Sequence, residues 1–138
     1  MAVNPTDLFA KMLLIGKRKN IPLMPKLLQD IAMVERIAGI RVNEFIGFGN
    51  DESAKLEYFW ADSYSLIGEL NERNNLHGRG IEIYKSGNFY IRYFKNGCQT
   101  IGNYIHIYNG GIVNVGELFM YEDEQRYRYT EYRPDGST

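Results

Sequence analysis

Cysteine and histidine are scarce in this sequence, and each scarcity excludes a kind of site. The 138 residues include one cysteine, Cys98, so no disulfide can form within the chain and no zinc cluster can be built from several thiolates. The two histidines, His77 and His106, are 29 positions apart and have no cysteine or aspartate at metal-ligand spacing. We therefore expect no metal ion and no cofactor.

Long apolar runs and a strong net charge are absent as well. The longest apolar run near the start, residues 12–15, is far too short to cross a bilayer, and no small-residue cleavage site follows it. The formal net charge is −1, with +3 over residues 1–40 and −4 over residues 41–138, so no overall basic field attracts nucleic acid. We expect a soluble, cytoplasmic protein that does not bind nucleic acid.

No residue pattern in the chain points to a reaction. A nucleophile elbow of the GxSxG kind is missing, and Gly78 and Gly80 are followed by a predicted strand, whereas a phosphate-binding loop is followed by a helix. The acidic run Glu122-Asp123-Glu124 lacks the glycine-punctuated loop of a calcium site, and we interpret it as a solvated cluster in a connecting loop. The sequence predicts a protein that is not an enzyme.

Residues 1–40 carry the start and stop signals of two helices. The segment 4–7 offers an N-cap, a proline at the first helical position and the carboxylate of Asp7 in the first turn, and Gly16 is expected to end that helix in a left-handed conformation. The second helix is predicted to begin at Met24 and to end at Gly39. The residues expected to face inward are Leu8, Met12 and Ile15 in the first helix, and Leu27, Leu28, Ile31, Val34 and Ala38 in the second.

From Ile40 onward the apolar period changes to two, which predicts strands. Ile81, Ile83, Ile105 and Ile107 are expected on one side of the sheet, and Glu82, Tyr84, His106 and Tyr108 on the other. Turns are predicted at residues 85–88, 109–111 and 133–136, where glycine permits the positive φ of a tight hairpin. The sequence predicts an α+β fold in which two N-terminal helices cover one face of an antiparallel β-meander.

Aromatic residues recur every 24 positions, at Trp60, Tyr84, Tyr108 and Tyr132. A fixed period of roughly 20–50 residues indicates stacked supersecondary units. The period divides the chain into a helical segment, 1–40, and a hairpin-repeat region, 41–138. The units of that region are a degenerate 44–67, then 68–91 and 92–115, and an incomplete 116–138.

The segment His77-Gly78-Arg79-Gly80 is followed after three residues by Tyr84-Lys85-Ser86-Gly87 and after two more by Tyr90. This pattern resembles the MORN (membrane occupation and recognition nexus) repeat, and the resemblance covers about residues 64–136. The looser units are also similar to a variant of the repeat found in bacterial antitoxin-like proteins. The resemblance implies a β-hairpin meander with an interaction or scaffold role, and it implies lipid as a second choice of partner.

One face of the predicted sheet combines tyrosines with few charges, which is typical of protein-binding surfaces. We expect a protein partner to bind this face or the edge strand 126–133, which is also a candidate site of homo-oligomerisation. His106 is interpreted as a structural or interface residue within reach of Glu82, and not as a general base. The predicted partner-binding residues are Tyr84, Tyr104, His106, Tyr108, Thr130 and Tyr132.

Three alternatives to a general interaction or scaffold module stay open. The acidic repeat region would suit an antitoxin or immunity-type inhibitor of a basic enzyme. The chain would also suit a structural subunit of a larger assembly, for example a viral one. The basic cluster Lys17-Arg18-Lys19 beside an amphipathic helix predicts, as the weakest alternative, binding to anionic membrane lipid.

Overall fold

Three helices precede an eight-stranded antiparallel sheet in the computed structural model, which describes residues 7–49 and 55–138. The helices are α1 (Leu8–Arg18), α2 (Met24–Ala38) and α3 (Val42–Ile46). The strands are β1 (Lys55–Trp60), β2 (Tyr64–Leu70), β3 (Leu76–Tyr84), β4 (Phe89–Lys95), β5 (Cys98–Gln99), β6 (Gly102–Ile107), β7 (Val113–Tyr121) and β8 (Glu124–Tyr132). None of these three helices is both long and apolar enough to cross a membrane. The predicted mixture of helices and antiparallel sheet is confirmed.

The first helix differs from its prediction at both ends. Asp7 is its N-cap, and the Asp7 carboxylate accepts a hydrogen bond from the backbone N–H of Ala10 at 2.7 Å. The predicted cap and the proline after it, at residues 4–6, lie outside the described residues, and Asp7, predicted as a carboxylate of the first turn, is itself the cap. Gly16 does not end the helix, because α1 continues for two more residues. A Cβ at Gly16 would lie 2.6 Å from the sulfur of Met24, so this glycine allows α1 and α2 to approach each other.

The second helix has its predicted bounds, whereas the sequence does not predict the third helix, α3. Helix α2 begins at Met24 with Pro25 in its first turn, and it ends at Gly39, whose φ of 66° is left-handed. The sequence predicts strands from Ile40 onward. Instead, the helix α3 forms there, and it spans the start of the predicted unit 44–67 and the two residues before it. Val42 and Ile46, one helical turn apart, are both buried, so five residues suffice to present an apolar stripe to the core.

The sheet is a meander in which neighbouring strands are also neighbours in sequence. Its order is β1-β2-β3-β4-β6-β7-β8, and the two-residue β5 pairs with β4. Strands β1 and β8 are therefore the two edges. The turns predicted at residues 85–88, 109–111 and 133–136 all lie between or after strands, as expected.

The two faces of the sheet have different surroundings. The helix-covered face carries Ile67, Ile81, Ile83, Ile91, Ile105, Ile107 and Val113, which share one buried core with α1, α2 and α3. The open face carries Tyr64, Leu66, Glu82, Tyr84, Tyr90, Arg92, Tyr104 and His106. The predicted alternation of isoleucines on one side with Glu82, Tyr84 and His106 on the other is thereby confirmed.

Candidate interaction surfaces

The centre of the open face is an array of aromatic rings. Tyr84 stacks on Tyr64 with 5.2 Å between ring centroids, and it meets Tyr90 edge-on at 5.3 Å. Tyr90 in turn lies 4.8 Å from His106 and 6.1 Å from Tyr108, again between ring centroids. Three of the predicted site residues, Tyr84, His106 and Tyr108, are therefore close together on one face, held by ring contacts within the protein.

A buried ion pair lies within this array. Glu82, which is 6% exposed, accepts hydrogen bonds from Nε of Arg92 at 2.6 Å and from the hydroxyl of Tyr84 at 3.1 Å. The guanidinium carbon of Arg92 lies 4.9 Å from the ring centroid of Tyr90 and 5.6 Å from that of Phe94. Glu82 is thus buried and paired, while the side chain of Arg92 is 18% exposed and has its charge paired with Glu82.

His106 lies beside Arg92, and Glu82, which the sequence places within its reach, is bonded to other residues. Nε2 of His106 is 3.4 Å from Nη1 of Arg92, while the carboxylate of Glu82 is bonded to Arg92 and Tyr84. Burial, and secondly the positive charge of Arg92, lower the pKa of His106 to about 4. At neutral pH the imidazole is therefore uncharged and packs as one more ring of the array.

Burial changes the pKa of three tyrosines on the open face. It raises the pKa of Tyr104 to about 12 and also raises the pKa of Tyr84 and Tyr108, with the nearby Glu82 carboxylate adding to the effect at Tyr84. Tyr104 is 2% exposed. The structure therefore places Tyr104 beneath the surface, where it supports neighbouring rings and offers no area to a partner.

Thr130 and Tyr132 lie on the helix-covered face, which corrects the prediction that they share a surface with Tyr84. Tyr132 is opposite Val113 in the register and packs against the core under the helices. Thr130 is two residues away in the same strand and so points to the same side. Trp60, the first aromatic of the 24-residue series, also lies on this side, because it pairs with Ser65.

The reversal at Tyr132 arises at the turn between β7 and β8. Glu122 and Asp123 form a two-residue turn, and both have positive φ. The connection between β4 and β6 is longer and contains β5. A shift of one residue in register moves every side chain of a strand to the opposite face. For this reason Tyr132 and Tyr108 lie on different faces although they are 24 residues apart.

The exposed part of the open face lies at its C-terminal edge. Met120, Tyr127 and Tyr129 are neighbours there on β7 and β8, and they are 46%, 55% and 52% exposed. Tyr127 meets Tyr104 edge-on with 5.6 Å between ring centroids, which joins the exposed rings to the buried array. Tyr127 and Tyr129 belong to the edge strand 126–133 that the sequence predicts as a binding site, whereas Met120 and the position of the two tyrosines on the open face are not predicted. The available signal was the tyrosine alternation at residues 127–129 in a strand predicted to be an edge.

Strand β8 also exposes its backbone. It is the last strand in the sheet order, and residues 124–131 are all exposed. In a hairpin closed by a two-residue turn, the residues flanking the turn form a hydrogen-bonded pair, and the pattern alternates from there. The backbone groups of Gln125, Tyr127, Tyr129 and Glu131 therefore point away from β7.

Gly116 allows β7 and β8 to pair closely. A Cβ at this position would lie 2.2 Å from the carbonyl oxygen of Arg128 and 2.5 Å from the Cβ of Tyr129. Backbone atoms cannot move aside as the end of a flexible side chain can. A glycine is therefore required here for β8 to keep its register.

The other polar candidates do not form a site together. His77 is exposed on β3, and Glu124 of the acidic run begins β8 instead of lying in a loop. Lys17, Arg18 and Lys19 are exposed where α1 ends, a position at which the helix dipole favours positive charge. Within residues 7–49 and 55–138, no group of three or more histidine, cysteine or acidic side chains is arranged to hold a metal ion.

No family model, no curated protein and no solved structure matches this chain. The likeness of residues 77–90 to a MORN repeat stays a prediction from the sequence. The geometry of the open face and of β8 is therefore the basis for a functional proposal.

Proposed function

We propose that this protein is a non-enzymatic interaction module that binds an extended segment of a partner protein along β8. The observation that carries the proposal is the exposure of β8 at the sheet edge, with two half-exposed tyrosines on its open face. A partner strand would bond to the outward backbone groups, which supply affinity, while its alternate side chains would meet Tyr127 and Tyr129. Large aromatic anchors of this kind contribute most of the energy at many interfaces.

The two sides of β8 favour different partner side chains. The open face offers apolar area, which suits aromatic or aliphatic residues. The other side presents Arg126, 3.2 Å from Glu124, and Arg128, 2.6 Å from Glu117, and both ion pairs are exposed. Because exposed ion pairs contribute only about 0–1 kcal/mol, carboxylates of a partner can replace these acceptors at little cost. An extended segment that alternates apolar and acidic residues fits this edge.

We also infer that the sheet is built from MORN-like hairpin repeats with a 24-residue period. In support of this, Ile67 pairs with Ile81, and Ile91 pairs with Ile105. The second pair is the first pair with 24 added to each residue number. The pairs Ile81–Ile91 and Ile105–Val115 are related in the same way. The outer strands β1 and β8 depart from this register by one residue, and atypical terminal units are usual in repeat arrays.

Capture of a partner by the immobilised protein from a lysate of its source organism tests the β8 proposal. We expect a protein retained by the wild type to be lost with the double variant Tyr127→Ala/Tyr129→Ala, because both anchors are removed. Tyr121→Ala is the matched control, since Tyr121 is 53% exposed in the same hairpin but lies on the opposite face. Retention by the double variant, or equal loss with the control, would contradict the proposal.

A backbone variant separates strand addition from simple contact with the tyrosines. Glu131→Pro removes an outward N–H while leaving the bonds to β7 in place, and proline is tolerated at such edge positions. We expect this variant to lose the partner and to keep its stability. Light scattering shows whether a second copy is the partner: a wild-type mass of twice 16.0 kDa that falls to 16.0 kDa in Glu131→Pro identifies self-association.

A further inference from the structure

On the helix-covered face, a groove lies toward the edge of the sheet that is opposite to β8. It has a volume of about 310 Å³ and opens between the α1–α2 loop and strands β2 and β3. Its lining is mostly apolar and consists of Ile21, Pro22, Leu23, Ser65, Ile83 and Lys85. An adjoining recess of about 320 Å³ shares Ile21 and Pro22 and extends to Lys17. The groove is large enough for one large side chain.

Aromatic residues of β1 stand beside this groove. Trp60 is 74% exposed, and it pairs with Ser65 of the groove, so the two side chains project on the same side. The hydroxyl of Tyr58 lies 3.4 Å from Oγ of Ser65. The ammonium group of Lys19 lies 5.8 Å from the ring centroid of Tyr58. The groove thus has an exposed indole on its outer margin and a lysine close to that margin.

Basic residues lie in and next to the groove: Lys85 lines it, Lys17 lines the adjoining recess, and Lys19 lies over Tyr58. Among the residues that the structure describes, Lys17, Arg18, Lys19 and Lys85 have no ion-pair partner within 4.0 Å. The turn between β1 and β2 contributes one carboxylate, Asp62, while the carboxylate of Asp30 is already paired with Lys26 at 2.7 Å. The balance at this corner of an overall slightly acidic protein is positive.

We propose that this corner binds an acidic linear segment of a partner protein. One large apolar side chain of that segment enters the groove beside Trp60, and its flanking carboxylates lie against Lys19 and Lys85. An apolar pocket supplies the anchor, and complementary charge supplies the orientation and the rate of association. This surface is separate from β8, so either one can fail without the other.

Fluorescence of Trp60, the only tryptophan in the chain, reports directly on this surface. The probe is the blocked octapeptide EEDLFDEE, which carries apolar anchors between acidic flanks and no tryptophan. We expect a blue shift of Trp60 emission that saturates at submillimolar peptide and weakens as salt is added. Two control peptides, one with LF changed to SS and one with every acid changed to lysine, are expected to give no saturable shift.

Charge reversal identifies the groove as the site. Lys85→Glu is expected to weaken peptide binding about tenfold or more, because one charge-assisted contact is replaced by repulsion. Lys95→Glu is the matched control, since Lys95 is an exposed lysine at the opposite end of the strands, and it is expected to bind as the wild type does. Unchanged emission with the octapeptide, equal weakening by both variants, or a shift only with phosphatidylserine vesicles would overturn the proposal.

Discussion

At the scale of single residues, the open face differs from an ordinary exposed sheet face because aromatic rings enclose its polar groups. Glu82 and Arg92 are paired and covered, and His106 is held neutral beside Arg92. The sequence showed that Tyr84 and His106 share a face, since strand periodicity is enough for that. It could not show which residue meets His106, because that depends on the strand register and on side-chain reach.

The lowered pKa of His106 predicts a pH-dependent stability. In the unfolded chain the imidazole binds a proton near its ordinary pKa of 6.5, whereas in the folded protein it does so only near 4. The contribution of neutral His106 to stability is thus present above pH 6.5 and is lost as pH falls toward 4. Urea unfolding should give a free energy about 1–2 kcal/mol lower at pH 5 than at pH 7 from this residue.

A variant with a ring that does not titrate isolates this effect. His106→Phe keeps a ring of similar shape, so its stability should change less between pH 7 and pH 5 than that of the wild type. An identical pH dependence in the wild type and His106→Phe would show that His106 does not titrate as described.

The buried and the exposed ion pairs predict different costs for removing an arginine. Arg92→Met leaves Glu82 charged and buried, and it should lower the free energy of unfolding by about 3–5 kcal/mol. Arg128→Met breaks the exposed pair with Glu117 and should cost less than about 1 kcal/mol. Chemical denaturation measures both, and comparable costs for the two variants would contradict the burial described for Glu82.

At the scale of helices and strands, glycine has two uses that its sequence position alone does not distinguish. Gly39 ends α2 in a left-handed conformation, as predicted. Gly16 looks like the same signal but lies inside α1, where it makes room for Met24. The tight turn at Glu122-Asp123 was not predicted because it contains no glycine, and its shorter length is what moves Tyr132 to the other face.

Gly116→Ala is predicted to disturb β8 selectively. The new Cβ would meet the backbone of Arg128, whereas Gly68→Ala would meet only the end of the Leu76 side chain, at 2.3 Å. Hydrogen exchange should show lost protection in β8 for Gly116→Ala and preserved protection there for Gly68→Ala. Normal protection of β8 in Gly116→Ala would mean that the two strands are not as close as described.

At the scale of the whole molecule, the helices and the sheet share one core, as expected if the N-terminal helices cover one face of the meander. Met12 of α1, Leu27 of α2 and Ile105 of β6 belong to the same buried cluster. Periodicity indicates which residues of each element are apolar, but it does not show which of them meet in that core.

The shared core predicts a single unfolding transition. Leu27→Ala removes a fully buried side chain from α2 and should cost about 2–5 kcal/mol. Helix loss, followed by circular dichroism at 222 nm, and loss of tyrosine packing in the sheet, followed in the near ultraviolet, should then shift together to lower urea. Separate transitions for the two signals would contradict a common core.

The central claim is that β8 is a formed strand with one paired side and one free side, and backbone hydrogen exchange by NMR tests it most directly. In the free protein, the amides of Arg126, Arg128 and Thr130 should be protected, while those of Tyr127, Tyr129 and Glu131 should exchange rapidly. Rapid exchange at all six positions would mean that β8 is not formed. Protection of all six amides in a protein that is a 16.0 kDa monomer would mean that another part of the chain already covers the free side of β8.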